Sequence, residues 1–517
     1  MSSDRENDSP LLELIPADRC KSQQVARWTE FGPSPYKLLR EPKTMKEWIN
    51  YGNYLGIDHA NGTMSYLTRC SYDRRNPLDA TQSILSLSIH YARGEMVQFT
   101  IVGSTDNAVA ETATFWITAE KLPDGSHDLC VCGRGGFIGF RGAQAPCLKH
   151  LLQVAPSRWV EFRNLVFNAE QAVTLATRPD QIKLSFMDCM FEDGGTAFVT
   201  ALQERQSPFG LLSFDSLTTE GKNSLSDDNM KLLFQVGTIN ELLLSRLHGE
   251  LALLAFSAKV DHLDYTASSA SLLSADLQSV NMAAKKLTVH ITNSDESFLT
   301  EALVAFWRRV AAVGHFVELK ITWASDSLDV PERVIHEIIH ATRNNPDLKI
   351  LAFGEDELNF EPHMEILLEG LKDHKNLSTF IIDVYSESLG PDYSHLRKLI
   401  SHNRNIVVIN TSDTIYTDGS TIDDLYSINR FYRGSADLVI KPLTLRASLV
   451  ATALTEIASN DFRRSALLLS QHVDALHEFV LFADLEERLG DSACSRPKRT
   501  MRIQPCRATK RAPKFLT

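Results

Sequence analysis

The apolar positions in the second half of the chain recur in a repeated phrase. Three short apolar runs begin at Leu348, Leu377 and Ile406, so their starting positions lie 29 residues apart (377 − 348 and 406 − 377). Each run follows an amphipathic, helix-like stretch that ends in a polar turn, such as residues 343–347. A strand and a helix of this length cannot bury their apolar faces alone, so the pattern predicts copies that stack on one another.

Weaker versions of the same phrase occur upstream and extend the predicted array to residues 159–440. They recur at intervals of roughly 21 to 32 residues, a spacing typical of solenoid repeats. The apolar run 298–310 predicts a full helix, whereas the short intervals between 240 and 284 predict copies whose helix is reduced to a turn. The upstream strand-like segments are 159–162, 181–186, 209–214, 239–244, 260–265, 284–289 and 316–321.

A different pattern precedes the array. Residues 41–150 are predicted to form a small α+β module, with a helix at 44–55. Three extended runs follow it, and their alternation and turn residues predict strands in antiparallel hairpins. These runs are 83–91, 96–102 and 112–118. Residues 1–40 are polar and contain prolines, so they are predicted to be mostly disordered.

After the array, the period becomes purely helical. The runs 449–457 and 464–473 have helical spacing without strand phrases. A stacked array needs its open end covered, so residues 447–489 are predicted to be a helical cap.

The last segment, 490–517, is basic and is predicted to be disordered. From Asp491 onward, eight lysines and arginines oppose a single acid, which gives +7 (8 − 1) and leaves −19 for the remainder of a chain with net charge −12 (−12 − 7). Such a tail is either a solvated extension or an arm for nuclear import or nucleic-acid contact. Any nucleic-acid contact is therefore predicted to be confined to residues 491–517.

Composition places the chain among soluble globular proteins. It is 43% hydrophobic and 23% charged, and no run approaches the roughly 20 apolar residues of a membrane span. Residues 1–10 are polar and acidic, unlike a secretory signal. The eight cysteines are scattered without a Cys-x-x-Cys pair, which indicates free thiols. These features predict a cytoplasmic protein, or a nuclear one if the tail is an import signal, with no membrane partner.

The repeated phrase resembles that of leucine-rich-repeat proteins of the ribonuclease-inhibitor-like superfamily. The resemblance implies an α/β leucine-rich-repeat solenoid with one strand and one helix per repeat, which acts as a protein-interaction scaffold without catalysis. One feature departs from the family, because its signature asparagine after the strand is not kept. The residues in that region are Cys189, Ser216, Leu247, Thr292 and Tyr385.

One motif points to a different class of protein. His336, Glu337 and His340 form a His-Glu-x-x-His pattern, in which two imidazoles bind zinc and the glutamate acts as a general base. However, Pro346 stands where one zinc-peptidase class has its third histidine. Stepping by the repeat period also places both histidines in polar columns and Ile338 in an apolar column. The sequence therefore predicts a structural helix with no metal or cofactor, and a zinc metallopeptidase is the alternative.

The glycine-rich stretch 133–142 follows a strand-like run. It lacks both the third-glycine spacing of a dinucleotide fingerprint and a helix directly after it. Turns between strands are the preferred interpretation, and phosphate binding through Arg134 and Arg141 is the alternative.

Alternation along the predicted strands identifies the side chains of the concave face. This row mixes both charge signs with one large aromatic residue, which suits a protein partner better than nucleic acid. The sequence does not identify that partner. The predicted partner-binding residues are Lys183, Glu241, His262, Asp264, Lys286, His290, Glu318, Lys320, Trp323, Thr379, Asp383 and Asn410.

Overall fold

The computed structural model describes most of the chain between residues 10 and 477. The described residues are 10–19, 35–40, 54–68, 83–90, 96–119, 128–134, 137–139, 148, 159–178, 181–216, 224–292, 300–324, 328–354, 358–440, 443–457, 461–475 and 477. The chain divides into two compact units, residues 1–422 and 423–517. The predicted disordered segment 490–517 lies outside the described residues, whereas the described parts of segment 1–40 contain the strands Leu12–Leu14 and Pro35–Leu38.

The first unit is a mixed α/β structure with a large, mostly parallel sheet of 17 strands. The strands are β1 (Leu12–Leu14), β2 (Pro35–Leu38), β3 (Tyr54–Asp58), β4 (Met64–Thr68), β5 (Ser83–His90), β6 (Met96–Gly103), β7 (Asp128–Arg134), β9 (Trp159–Arg163), β11 (Ile182–Met187), β13 (Gly210–Asp215), β14 (Glu241–Leu244), β15 (His262–Ser268), β16 (Lys286–Thr292), β17 (Glu318–Ala324), β19 (Ile350–Phe353), β21 (Thr379–Ile381) and β22 (Val407–Ile409).

Two small parallel sheets accompany the large one. The first contains β8 (Ile138–Gly139), β10 (Leu165–Phe167) and β12 (Met190–Phe191), and the second contains β18 (Leu328–Asp329) and β20 (Leu358–Asn359). The α-helices are α1 (Asp106–Ala119), α2 (Ala169–Ala176), α3 (Thr196–Glu204), α4 (Asp227–Leu233), α5 (Leu251–Leu254), α6 (Ser269–Leu272), α7 (Thr300–Val313), α8 (Glu332–Asn344), α9 (Met364–Leu371), α10 (Ser394–His402), α11 (Thr421–Asp437), α12 (Leu443–Ile457) and α13 (Phe462–Gln471). No helix of the described residues is both long enough and apolar enough to cross a bilayer.

The N-terminal strands are mainly antiparallel and join the parallel array directly. β3, β4, β6, β5 and β7 pair antiparallel in that order, and β7 then pairs parallel with β9. The predicted hairpin of residues 83–91 and 96–102 is confirmed by the pairing of β5 with β6, although its loop lies outside the described residues. The two parts therefore share one continuous sheet.

One prediction for this region is wrong, and another is contradicted only at its last two residues. Residues 112–118 lie in α1 instead of a strand, because Val109, Ala113 and Trp116 form one buried helical stripe that packs on β5 and β6. Of the predicted helix at 44–55, residues 54–55 belong to β3, and residues 44–53 lie outside the described residues.

The strands from β9 to β22 form the predicted parallel array. One column of buried residues runs through it in register, and the helices cover this side of the sheet. For example, Phe198 of α3 packs against Phe186 and Phe214, and Trp307 of α7 packs against Phe353. The column consists of Val160, Leu184, Leu212, Leu242, Leu263, Leu287, Leu319, Leu351, Phe380 and Val408.

The last strand departs from the predicted register by one residue. A constant spacing of 29 places Ile409 opposite Phe380, but the structure pairs Phe380 with Val408. After β22 the chain folds back, so that Ile409 bridges Ile415 and the N–H of Tyr416 donates to the carbonyl of Val408. This return covers the edge of the last strand, and the one-residue shift places Ile409 on the face opposite Val408.

Buried polar side chains link successive copies at the turns that lead from helix to strand. Asn345, His374 and Asn403 are spaced by 29 residues (374 − 345 and 403 − 374), and all three are buried. The Nε2 of His374 lies 3.0 Å from the carbonyl oxygen of Asn345, and the amide of Asn403 donates to the carbonyl of His374 at 2.8 Å. Each copy thus satisfies a backbone acceptor of the preceding one.

The second unit is helical in the residues that the structure describes. The predicted helical runs 449–457 and 464–473 coincide with α12 and most of α13. Asp461 caps α13 by accepting a hydrogen bond from the N–H of Arg464 at 3.0 Å. The guanidinium of Arg464 donates to Ser427 at 2.8 Å and lies over the ring of Phe431.

Candidate functional site

The candidate site lies on the open face of the sheet, which we define as the alternate strand side chains that point away from the helices. On β17, Leu319 and Ile321 are buried on the helix-covered side, whereas Glu318, Lys320 and Thr322 belong to the open face. Because the strands pair in register, the open-face side chains of neighbouring strands line up in columns that cross the sheet. Most of the predicted partner-binding residues fall in these columns.

The most enclosed charge on the open face is Glu318. Its side chain is 11% exposed, and its carboxylate lies 2.9 Å from the Nζ of Lys320 and 3.6 Å from the Nζ of Lys286. Both lysine side chains remain far more open, at 42% and 50% exposure. Burial alone would raise the pKa of Glu318. The hydrogen bond from Lys320 and the positive charges of Lys320 and Lys286 outweigh burial and hold that pKa below its ordinary value.

Replacing Glu318 by glutamine is expected to lower the free energy of unfolding by about 1 kcal/mol at pH 7, because two lysines lose their shared counter-charge. Since the folded-state pKa of Glu318 lies below its unfolded value, its stabilisation is present above the unfolded pKa. That stabilisation disappears as the pH falls through the folded pKa. The difference in the free energy of unfolding between the native and the Glu318→Gln proteins should therefore become smaller as the pH falls. Urea denaturation at several pH values between about 7 and 3 measures it.

The matched control for this substitution is Glu250→Gln. Glu250 also pairs with a lysine, Lys231, at 2.8 Å, but its side chain is 75% exposed. We expect no measurable loss of stability there, because exposed pairs contribute little. A Glu318→Gln effect that stayed constant with pH would contradict the assigned role of the Glu318 charge.

Two carboxylate–histidine–threonine triples cross the strands beside Glu318. In the first, the Nε2 of His290 lies 3.0 Å from Asp264 and its Nδ1 lies 2.6 Å from the hydroxyl of Thr322. A carboxylate can only accept, so a neutral His290 donates from Nε2 to Asp264 and accepts at Nδ1 from Thr322. The triple therefore fixes both the tautomer and the orientation of the imidazole.

The second triple lies one strand earlier and is looser, because its histidine–carboxylate contact is longer than a hydrogen bond and the two ring nitrogens exchange roles. His262 lies 3.9 Å from the carboxylate of Glu241 through Nδ1 and 3.0 Å from the hydroxyl of Thr288 through Nε2. With Glu318 and the two lysines, the triples form a continuous polar network on β14, β15, β16 and β17. This network contains seven of the predicted partner-binding residues: Glu241, His262, Asp264, Lys286, His290, Glu318 and Lys320.

Next to the network, the open face becomes apolar. The apolar patch, as we name it, consists of Ile350, Ala352, Ile381, Val407 and Ile409 on β19, β21 and β22. All except Ala352 are partly exposed. The polar-residue criterion missed this patch. The signal that could have identified it is the unbroken apolar run 350–353, which indicates a strand that is apolar on both faces.

The remaining predicted residues are placed differently. Trp323 is fully buried, because strand alternation points it to the helix-covered side opposite Thr322, so its assignment to the binding face is wrong. Asp383 follows β21 and accepts a hydrogen bond from the N–H of Thr411, and Asn410 follows β22 and accepts one from the N–H of Thr414, so both hold the turn after β22. Lys183 on β11 and Thr379 on β21 do lie in open-face columns, but outside the polar network.

The His-Glu-x-x-His motif lies on α8. His336 and His340 are exposed and Ile338 is buried, which confirms the columns predicted from the repeat spacing. Glu337 accepts a hydrogen bond from Arg308 at 2.8 Å. Within the described ranges, no three His, Cys, Asp or Glu side chains are grouped so that they could hold a metal ion.

A polar cleft of about 770 Å³ lies beside the start of α11. Two of its charged groups, Arg397 and Asp418, are held by neighbouring groups. Arg397 donates to the carbonyl of Asp392 at 2.9 Å and to the hydroxyl of Thr421 at 3.2 Å. The hydroxyl of Thr421 and two backbone N–H groups donate to Asp418 and hold the pKa of its carboxyl well below its ordinary value. These bonds organise the helix start, so the open face is the better candidate.

Comparison with known proteins adds no relative to this picture. No protein-family model matches the chain, and no curated protein matches it with significance.

Proposed function

We propose that this chain is a non-enzymatic leucine-rich-repeat scaffold that binds a protein partner across the open face of its parallel sheet. In this proposal the sheet is the concave side of a solenoid. The observation that carries it is the adjacency, on one continuous face, of the polar network and the apolar patch.

This combination of surfaces resembles the composition of protein interfaces. Such interfaces join an apolar centre to polar groups that fix orientation and exclude wrong partners. The network side chains are held by neighbours in register, as with Lys320 on Glu318 and His290 on Asp264. Side chains that are already ordered lose less conformational entropy on binding, which favours association.

The charge of the face favours protein over nucleic acid. The acids Glu241, Asp264 and Glu318 alternate there with Lys286 and Lys320, so the face lacks the basic stripe that phosphate backbones require. A nucleic-acid role would have to reside in residues 491–517, which lie outside the described residues.

A double substitution on the open face is expected to reduce partner capture. Lys320→Gln with Ile381→Ser removes one charge from the network and one side chain from the apolar patch. We expect about a tenfold loss of partner yield in affinity capture or proximity labelling from cells, because central contacts dominate interface energies.

The matched control is Lys231→Gln with Leu232→Ser on α4. Lys231 is also ion-paired and Leu232 is exposed, so the same chemical changes fall on the helix-covered side. Both proteins should keep the thermal stability of the native chain within a few degrees. An unchanged set of partners in the open-face variant would sink the proposal.

A further inference from the structure

The boundary between β17 and β19 divides the open face into a charged half and an apolar half. The last charged column ends at Lys320, and the next residues in register are Ile350 and Ala352. From there to β22, the columns contain Ile381, Val407 and Ile409, with Thr379 as their polar member. A partner that covers this boundary must present one charged end and one apolar surface.

The charge at the boundary is positive toward solvent. Lys286 and Lys320 share the single carboxylate of Glu318, which lies beneath them and is mostly shielded. Two ammonium groups against one carboxylate leave about one uncompensated positive charge at the entrance to the apolar patch. The acids Asp264 and Glu241 lie on β15 and β14, farther from the apolar patch than Lys320, and they contact His290 and His262. The complement of this boundary is a carboxylate.

We infer, resting on the function proposed above, that the partner docks an amphipathic helix whose apolar side covers the patch and whose carboxylate binds Lys286 and Lys320. The helix axis runs across the strands, from β17 toward β22. The partner class is therefore a protein with an acidic residue at one end of an apolar helical stripe.

The spacing of the strands determines the spacing of that stripe. Adjacent strands lie about 4.8 Å apart, so β19, β21 and β22 lie about 5, 10 and 14 Å from β17. A helix rises about 1.5 Å per residue, so positions 3, 7 and 10 from the acid lie about 4.5, 10.5 and 15 Å away. An extended segment repeats its side chains every 6.7 Å or so and loses this match after one strand. The expected motif has apolar residues 3, 7 and 10 positions from Asp or Glu, in either chain direction.

The test is a selection from a random 16-residue peptide library displayed on phage, with the full-length protein as bait. Binders are counter-selected against the double variant Lys286→Gln, Lys320→Gln. We expect the surviving peptides to share the acid-and-apolar motif. A synthetic peptide from this set should bind the native chain about tenfold more tightly than the double variant in fluorescence anisotropy. Replacing its acid by lysine should cause a similar loss, and Lys231→Gln in the protein should cause none.

Three outcomes would overturn the inference. They are no enrichment of any peptide, enrichment of peptides without the spaced acid, and equal affinity of the peptide for the native protein and for the Lys286→Gln, Lys320→Gln protein. Enrichment of basic peptides would place the docking charge on Asp264 and Glu241 instead. These results are separable from the proposed function. If Lys320→Gln with Ile381→Ser still abolished partner capture, the open face would remain the binding surface and only the helical, acidic partner would be rejected.

Discussion

Replacing Trp323 by alanine is expected to lower the free energy of unfolding by about 3–5 kcal/mol. The indole is fully buried on β17, on the same side of the strand as Leu319 and Ile321. Trp323 pairs in register with Ile291 of β16, which is also fully buried. Because the neighbouring strand β16 and the covering helices hold this layer in place, the neighbours can fill only part of the cavity that alanine leaves.

Urea denaturation of the purified proteins measures this loss, and Thr322→Ala is the matched control. Thr322 is the preceding residue on the same strand but belongs to the open face, where alanine removes one methyl group and the hydroxyl bonded to His290. We expect about 1 kcal/mol or less there. A Trp323→Ala protein as stable as the control would contradict the burial assigned to Trp323. Because Trp323→Ala destabilises the strand that carries Glu318 and Lys320, it is also unsuitable for testing partner binding.

The parallel array was predictable because its buried columns are marked in the sequence. Large apolar residues at alternate positions, such as Leu184 with Phe186 and Leu319 with Ile321, distinguish the helix-covered side of each strand. The polar network could be predicted for the same reason, since its charges occupy the opposite parity. What the pattern could not supply was the partner of each charge. The pairing of Lys320 with Glu318 depends on side-chain directions that spacing alone does not determine.

Register was the weakest part of the sequence-based account. A one-residue slip exchanges the two faces of a strand, so a constant spacing of 29 misplaces the side chains of β22. The constant spacing places Asn410 opposite Ile381 on the open face, whereas in the structure Ile409 occupies that position. Trp323 was misplaced for a different reason, because strict alternation along β17 assigns the open face to Thr322 and the helix-covered side to its neighbour Trp323.

In the region before the array, contacts between residues distant in the sequence determine the secondary structure and the strand pairing. The β-branched and aromatic residues of 112–118 favour a strand locally, but α1 wins because its buried stripe fits β5 and β6. The pairing of β7 with β9 joins the antiparallel and parallel parts of the sheet. No local signal marks that contact, since its two strands are separated by residues with no repeat phrase.

Replacing Asn345 by alanine is expected to lower the free energy of unfolding by about 2–4 kcal/mol. The side chain is fully buried between copies. Its amide donates to the carbonyls of Val310 and Ala341 at 3.2 and 2.8 Å, and its side-chain oxygen accepts from the N–H of Phe316 at 2.9 Å. Alanine would leave the Phe316 N–H without its acceptor in the interior, where water cannot replace it, and the Val310 carbonyl would keep only its bond from the N–H of Gly314.

The neighbouring Asn344→Ala provides the control, because Asn344 is the same residue type but is exposed. It donates only to the carbonyl of His340 on its own helix, so its loss should be below about 0.5 kcal/mol in the same denaturation experiment. Equal effects of the two substitutions would refute a linking role for Asn345. A large difference would show that the polar turns between copies act as buried joints. It would also predict that Asn403→Ala, 58 residues further on (403 − 345), is destabilising for the same reason.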